Sequence, residues 1–226
     1  MPQLFHPSAN TIAKASIVGG ILLLAGVGWA GWNIERSPYI TNQGIVQPQP
    51  VVFSHEHHVR GLGIDCRYCH TSVEDSPFAG LPATKVCMTC HSQIWTNAGH
   101  LEPVRESWRT GRPIHWQRVH KVPDFVYFDH SIHVNKGVGC VTCHGEVDGM
   151  PLMWQHSSLQ MEWCVECHRH PEYVLRPRSE VFNLHYDPLH DVERKFPPQG
   201  KIGPELVEKY HLLPRQQLMN CSTCHR

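Results

Sequence analysis

All ten cysteines of this 226-residue chain fall into five copies of Cys-x-x-Cys-His. They are Cys66, Cys69 and His70; Cys87, Cys90 and His91; Cys140, Cys143 and His144; Cys164, Cys167 and His168; and Cys221, Cys224 and His225. Two thiols three positions apart can each form a thioether to one vinyl group of a single haem. The histidine that follows then sits under the ring with a nitrogen aimed at iron. A zinc ribbon would pair two Cys-x-x-Cys units per metal, leaving the fifth unpaired and five histidines unexplained. Neither iron–sulfur ligation nor a disulfide framework demands a histidine after every second cysteine. The spacing predicts five covalently attached c-type haems, with the ten cysteines as anchors and the five trailing histidines as proximal iron ligands.

Low-spin electron-transfer haem needs a sixth ligand, and His–His or Met–His pairs supply it. Methionines number six, with Met1 terminal and Met88 inside an attachment motif, whereas fourteen histidines remain. Mostly bis-His ligation is expected. An internal duplication selects among the candidates. Phe53-Ser-His55-x-x-His58 precedes the first motif and Phe128-Asp-His130-x-x-His133 precedes the third, and each copy is followed by a further haem motif. Such self-similarity marks a repeated structural unit. Histidines three apart share one side of a helical turn, so each pair should serve two neighbouring irons. His55, His58, His130 and His133 are therefore the expected distal ligands of four haems. His120, just upstream of the second repeat, is the expected fifth; His115, His156, His185 and His190 are its rivals. His57 and His170, beside expected ligands, read as supporting or solvent residues.

These ligands need elements to carry them. Residues 15–34, ASIVGGILLLAGVGWAGWNI, have Ser16 and Asn33 as their only plainly polar members. Twenty helical residues rise about 30 Å, the thickness of a bilayer's hydrocarbon core, and Trp29 and Trp32 suit an interfacial belt. A cleaved signal peptide is the competing reading, but the run stays apolar to Ile34 where a mature chain would begin polar. Because c-type haem is attached outside the cytoplasm, residues 1–14 are expected inside and residues 35–226 on the periplasmic side of the cell membrane, as a single-pass protein. Residues 35–50 are polar and Pro-spaced, a linker. Residues 51–226 form the expected pentahaem domain.

Outside the apolar run and the cysteines roughly a third of the residues are apolar, thin for a self-sufficient core. Pro and Gly contribute 18 and 17 residues, so long helices or strands should be few. The expected fold class is mainly α and irregular, with short helices at the attachment motifs and porphyrins supplying the missing core. Residues 171–218, broken by Pro177, Pro188, Pro197, Pro198, Pro204 and Pro214, should wrap over that core or a partner surface. Net charge is zero with neutral His, which argues against nucleic-acid binding.

The repeated dihaem units alone resemble the broad cytochrome c3/c7-like class. The anchor followed by five motifs, with FSHEHH before the first, RVHKVPDFVYFDHSIHV before the third and MEWCVECHRHPE around the fourth, is similar to the pentahaem cytochrome subunit (ActA) of alternative complex III. The resemblance spans essentially the whole chain. It implies an electron-transfer subunit, not itself an enzyme, within a bacterial quinol:electron-acceptor oxidoreductase. The implied partners are integral membrane quinol-binding subunits, an iron–sulfur subunit, and a monohaem cytochrome c subunit or terminal oxidase. The alternative is a stand-alone membrane-anchored menaquinol dehydrogenase cytochrome feeding a periplasmic reductase. A multihaem reductase would need one iron with an open face, and no attachment motif here lacks its proximal histidine.

Overall fold

The computed structural model describes residues 4–187 and 199–225, and within them the chain is helical and irregular. Among the described residues no strand forms. Two isolated antiparallel bridges, Val46 with Trp154 and Val138 with Leu175, are the only extended pairings there. The fold divides into two units, residues 1–43 and 44–226.

The first unit is helix α1 (Ala9–Arg36) followed by the single turn α2 (Pro38–Thr41). Helix α1 is long and apolar enough to cross a membrane. It starts six residues before the apolar run, because Ala9–Lys14 contains no helix breaker, and it closes at Arg36. The two polar members of the run are satisfied within the helix: Ser16 Oγ donates to the Ala13 carbonyl (3.0 Å) and Asn33 Nδ2 to that of Trp29 (2.7 Å). A lipid-facing helix requires such internal pairing. Arg36 stacks its guanidinium over Trp32, 3.2 Å from the ring centroid, and sits where a cation favours the helix C-terminus.

In the second unit, residues 44–50, expected as linker, are fastened down. Gly44 N donates to Gln155 O (2.8 Å), and the Gln49 amide makes two bonds to the Gln117 backbone (2.9 and 3.0 Å). A π-helical turn, Glu56–Gly61, follows. Next come the short helices α3 (Cys66–Cys69), α4 (Thr84–His91), α5 (Glu102–Thr110), α6 (His130–Asn135), α7 (Cys140–His144) and α8 (Met161–Arg169). The chain ends in α9 (Gln199–Lys209), α10 (Arg215–Leu218) and α11 (Cys221–Cys224). Each attachment motif is thus one turn of helix, the conformation that puts residues three apart on one face. Side-chain caps start three of the short helices: Asp65 accepts from Arg67 N, Asp129 from Ile132 N and Asn220 from Ser222 N.

Apolar burial is split among three small clusters: Val51, Leu101 and Val104; Val73, Val134 and Val181; and Leu175, Ile202, Leu206 and Tyr210. None forms a continuous core, and cysteines 87 and 140 border the first two. Of the Pro-broken stretch 171–218, α9 packs against the turn Pro171–Tyr173. The approach is so close that a Cβ on Gly203 would lie 2.0 Å from the Glu172 carbonyl oxygen. Pro188, Pro197 and Pro198 lie outside the described residues.

Candidate functional site

The two copies of Phe-x-His-x-x-His fold alike. Phe53 stacks on His58 (4.4 Å, 23°) and meets His55 edge-on (4.9 Å, 85°). Phe128 repeats this on His133 (4.5 Å, 26°) and His130 (4.8 Å, 90°). In each copy the second histidine turns its Nδ1 back to the carbonyl four residues earlier, His58 to Ser54 (2.8 Å) and His133 to Asp129 (2.7 Å). The phenylalanine and that carbonyl lock the imidazole, leaving Nε2 to point outward.

Each locked histidine faces a proximal one. His130 and His144 hold their ring centroids 6.4 Å apart, 13° from parallel; His133 and His168 are 6.2 Å apart at 24°; His58 and His91 are 6.3 Å apart at 66°. An imidazole nitrogen binds a first-row metal at about 2.0 Å and its ring centroid lies about 1.1 Å further back, so two imidazoles across one iron stand about 6.3 Å apart. All three separations match. His70 lies close enough to His55 to disfavour charge on it. The first histidine of each repeat therefore lies by its own motif, and the second by the motif that follows.

Hydrogen bonding sets the tautomers. Besides His58 and His133, Nδ1 of His70 meets Gly80 O (2.7 Å), His91 meets Ile94 O (3.1 Å), and His130 meets Pro77 O (2.8 Å). His168 meets Leu218 O (2.9 Å) and His225 meets Phe125 O (3.1 Å). A carbonyl only accepts, so Nδ1 carries the proton and Nε2 keeps its lone pair, as in a metal-bound histidine. Burial, with neighbouring histidines adding to it, lowers His144 to about 3 and His55 to about 4. These rings are neutral, the ligating form.

Among the described residues no two cysteines are joined as a disulfide. Burial, reinforced by neighbouring thiols, pushes Cys143 up to about 12, and burial first of all raises Cys140 and Cys164 to about 11. Among the described residues no group of three or more His, Cys, Asp or Glu side chains converges as a bare-ion site. The residues present fit haem c: paired thiols and one imidazole per motif, with a second imidazole at the right spacing for three motifs and near a fourth.

His120 does not complete the fifth motif in this structure. Its ring lies 4.2 Å from that of His144 at 69°, and its buried Nε2 has no hydrogen-bond partner. The ring beside His225 is instead Phe125 (5.7 Å, 36°). The reason is local: Tyr127 N donates to Cys224 O (2.8 Å), so the chain just before α6 runs along the fifth motif, while residue 120 comes earlier and reaches the third. Among the rivals, His115 is exposed, His156 packs over Gly145 and near His120, His185 bonds Asp148, and His190 lies outside the described residues. His57 stacks on Trp95 (5.4 Å, 27°) and His170 on Tyr173 (5.5 Å, 20°).

One cluster escaped sequence reasoning. Buried Asp148 takes His185 Nε2 (2.7 Å) and Arg60 Nε (3.2 Å) on one oxygen, tying the π-helical turn to the loop after α7. No spacing signal joins positions 60, 148 and 185.

No known protein-family profile matches the chain. A curated relative, the multihaem cytochrome c subunit of a menaquinone reductase from Nitratidesulfovibrio vulgaris, is 28% identical over an aligned stretch of 176 residues covering 69% of this chain and 80% of the relative. The fold class is mainly α and irregular with one N-terminal apolar helix, and the relative it is similar to is a multihaem cytochrome c subunit.

Proposed function

We propose that this chain is the electron-transfer subunit of a membrane quinone oxidoreductase, carrying five covalently attached haems c. The observation that supports it most is the set of facing imidazoles at 6.2–6.4 Å. Each haem, when bound, supplies a one-electron carrier of low to moderate potential. The chain's residues do the rest. The ten motif cysteines anchor; His70, His91, His144, His168 and His225 bind the proximal faces; His55, His58, His130 and His133 bind the distal faces of the first, second, third and fourth sites in turn. Carbonyls on Nδ1 fix ring orientation, so little rearranges when charge changes. For the fifth site the chain presents His225, with Phe125 beside it.

On this reading helix α1 anchors the chain in the membrane, with residues 51–226 in the periplasm. Quinol is oxidised by integral membrane partners beside an iron–sulfur subunit, and electrons leave to a monohaem cytochrome c or terminal oxidase, the arrangement of alternative complex III. The relative, a subunit of a menaquinone reductase, favours a second reading, a stand-alone membrane-anchored menaquinol dehydrogenase cytochrome feeding a periplasmic reductase.

The test is purification in mild detergent, a pyridine haemochrome count, and menaquinol oxidation by the isolated chain. Five haems, no oxidation alone and co-elution of multi-span and iron–sulfur subunits support the first reading. Oxidation by the chain alone supports the second, and fewer than five haems overturns both.

A further inference from the structure

We infer that the five attachment segments follow one another in space in the order second, first, third, fourth, fifth, so that the second and fifth are the two ends of the array. The inference rests on the haem reading above and adds to it the route through the molecule. Electrons delivered at one end leave at the other, one in for one out, between the donor and acceptor classes already named.

Contacts between segments carry the order. The second joins the first through Tyr68 and Thr89, one residue inside each motif, whose hydroxyls lie 2.9 Å apart. The first joins the third through α6. His130 N and Nδ1 both donate to Pro77 O (3.2 and 2.8 Å), Ser131 N donates to Ser76 O (3.2 Å), and Asn135 Nδ2 to Glu74 O (2.7 Å). Cys140 then borders the cluster of Val73, Val134 and Val181. The third joins the fourth because α6 presents His130 to His144 and His133 to His168. The fourth joins the fifth through His168 Nδ1, which donates to Leu218 O just ahead of Cys221.

Exposure agrees: of the ten cysteines, Cys90 and Cys221 alone are exposed, one in the second segment and one in the fifth. At the second segment His57 and Trp95, the latter 53% exposed, carry the ring stack from His91 to the surface. Motif order along the chain thus differs from order in space because the first repeat sends His58 outward to a terminal site, whereas the second sends His133 inward.

The experiment is an EPR-monitored redox titration of the full-length holoprotein with single axial substitutions. A thioether in place of a distal imidazole raises that site's potential, so it reduces first, loses its spin and relieves dipolar coupling to its neighbours. His58→Met is expected to alter one other haem signal; His55→Met, His130→Met and His133→Met two each. Two altered signals for His58→Met, or one for His55→Met, overturn the order. Should a variant fail to load its haems, iron positions from anomalous scattering of the unsubstituted holoprotein decide: nearest-neighbour spacing in the stated order upholds the inference. A branch from the third site to the fifth overturns it. A haemochrome count below five on the same sample overturns the haem reading itself, a separate failure.

Discussion

The imidazoles of His133 and His168 stand 6.2 Å apart and 24° from parallel, one from helix α6 and the other from α8. One turn back on α6, His130 stands 6.4 Å from His144. A single six-residue helix thus serves two attachment motifs, and the π-helical turn carrying His58 does the same work beside the first two. His133→Ala is expected to convert one low-spin site to high spin and leave the other four unchanged, and His130→Ala to convert a different one. EPR of the oxidised protein and carbon monoxide binding to the reduced protein check this. Loss of the same signal in both variants would sink the pairing.

Gly80 supports the first site from behind. Its carbonyl takes the Nδ1 proton of His70 (2.7 Å), its φ is +79°, and a Cβ there would meet Ser72 Oγ at 2.9 Å. Gly80→Ala is expected to cost about 1–2 kcal/mol, from left-handed strain plus that close contact. Weakening the hydrogen bond also lowers the basicity of His70, so the midpoint of one haem should rise. Thermal denaturation and a potentiometric titration read the two effects; destabilisation with no change in any midpoint would leave Gly80 a purely structural glycine.

The motifs and the duplication make most of the proposed site legible in the sequence, because covalent attachment would demand an invariable local spacing. The distal pairing was only half legible. A His-x-x-His turn says that two irons are served; which iron takes which histidine depends on the tertiary path from Pro77 to His130. His120 shows the limit most clearly. Proximity in sequence to the second repeat suggested a fifth distal ligand; the structure sets His120 beside His144, while the hydrogen bond from Tyr127 to Cys224 brings a later stretch to the fifth motif. Asp148 left no trace in any motif, since its partners at positions 60 and 185 come together only through folding.

Asp148 gives the chain an acid-sensitive joint. Burial works to raise its carboxyl, but hydrogen bonds from His185 and Arg60 outweigh this and hold it below the ordinary carboxylate value. A depressed carboxylate adds stability above its unfolded pKa and loses it as pH falls through the folded one. The contribution should be complete at neutral pH and fade below about pH 4. Asp148→Asn is expected to lose about 1–2 kcal/mol at pH 7, discounted because Arg60 and His185 are half exposed, and to converge with the parent in acid. Urea midpoints at the two pH values check it; a constant gap would show that the carboxylate's charge contributes nothing.

His120 is held neutral beside the third site. Burial first, then its neighbours His156 and His130, lower it to about 4; its buried Nε2 has no hydrogen-bond partner, and its ring meets that of His144 edge-on. Unlike the other proximal histidines, whose Nδ1 bonds a carbonyl, His144 has an imidazole as its close neighbour. This ring contact is expected to restrain the proximal ring of the third site, as the Gly80 and Leu218 carbonyls do by hydrogen bonding for the first and fourth. His120→Leu keeps the volume and removes the polar ring. The expected outcome is an unchanged count of low-spin haems, with one g-tensor and one midpoint displaced, and no carbon monoxide binding gained. A new high-spin site in this variant would instead make His120 an axial ligand and require the pairing of the third and fifth sites to be redrawn.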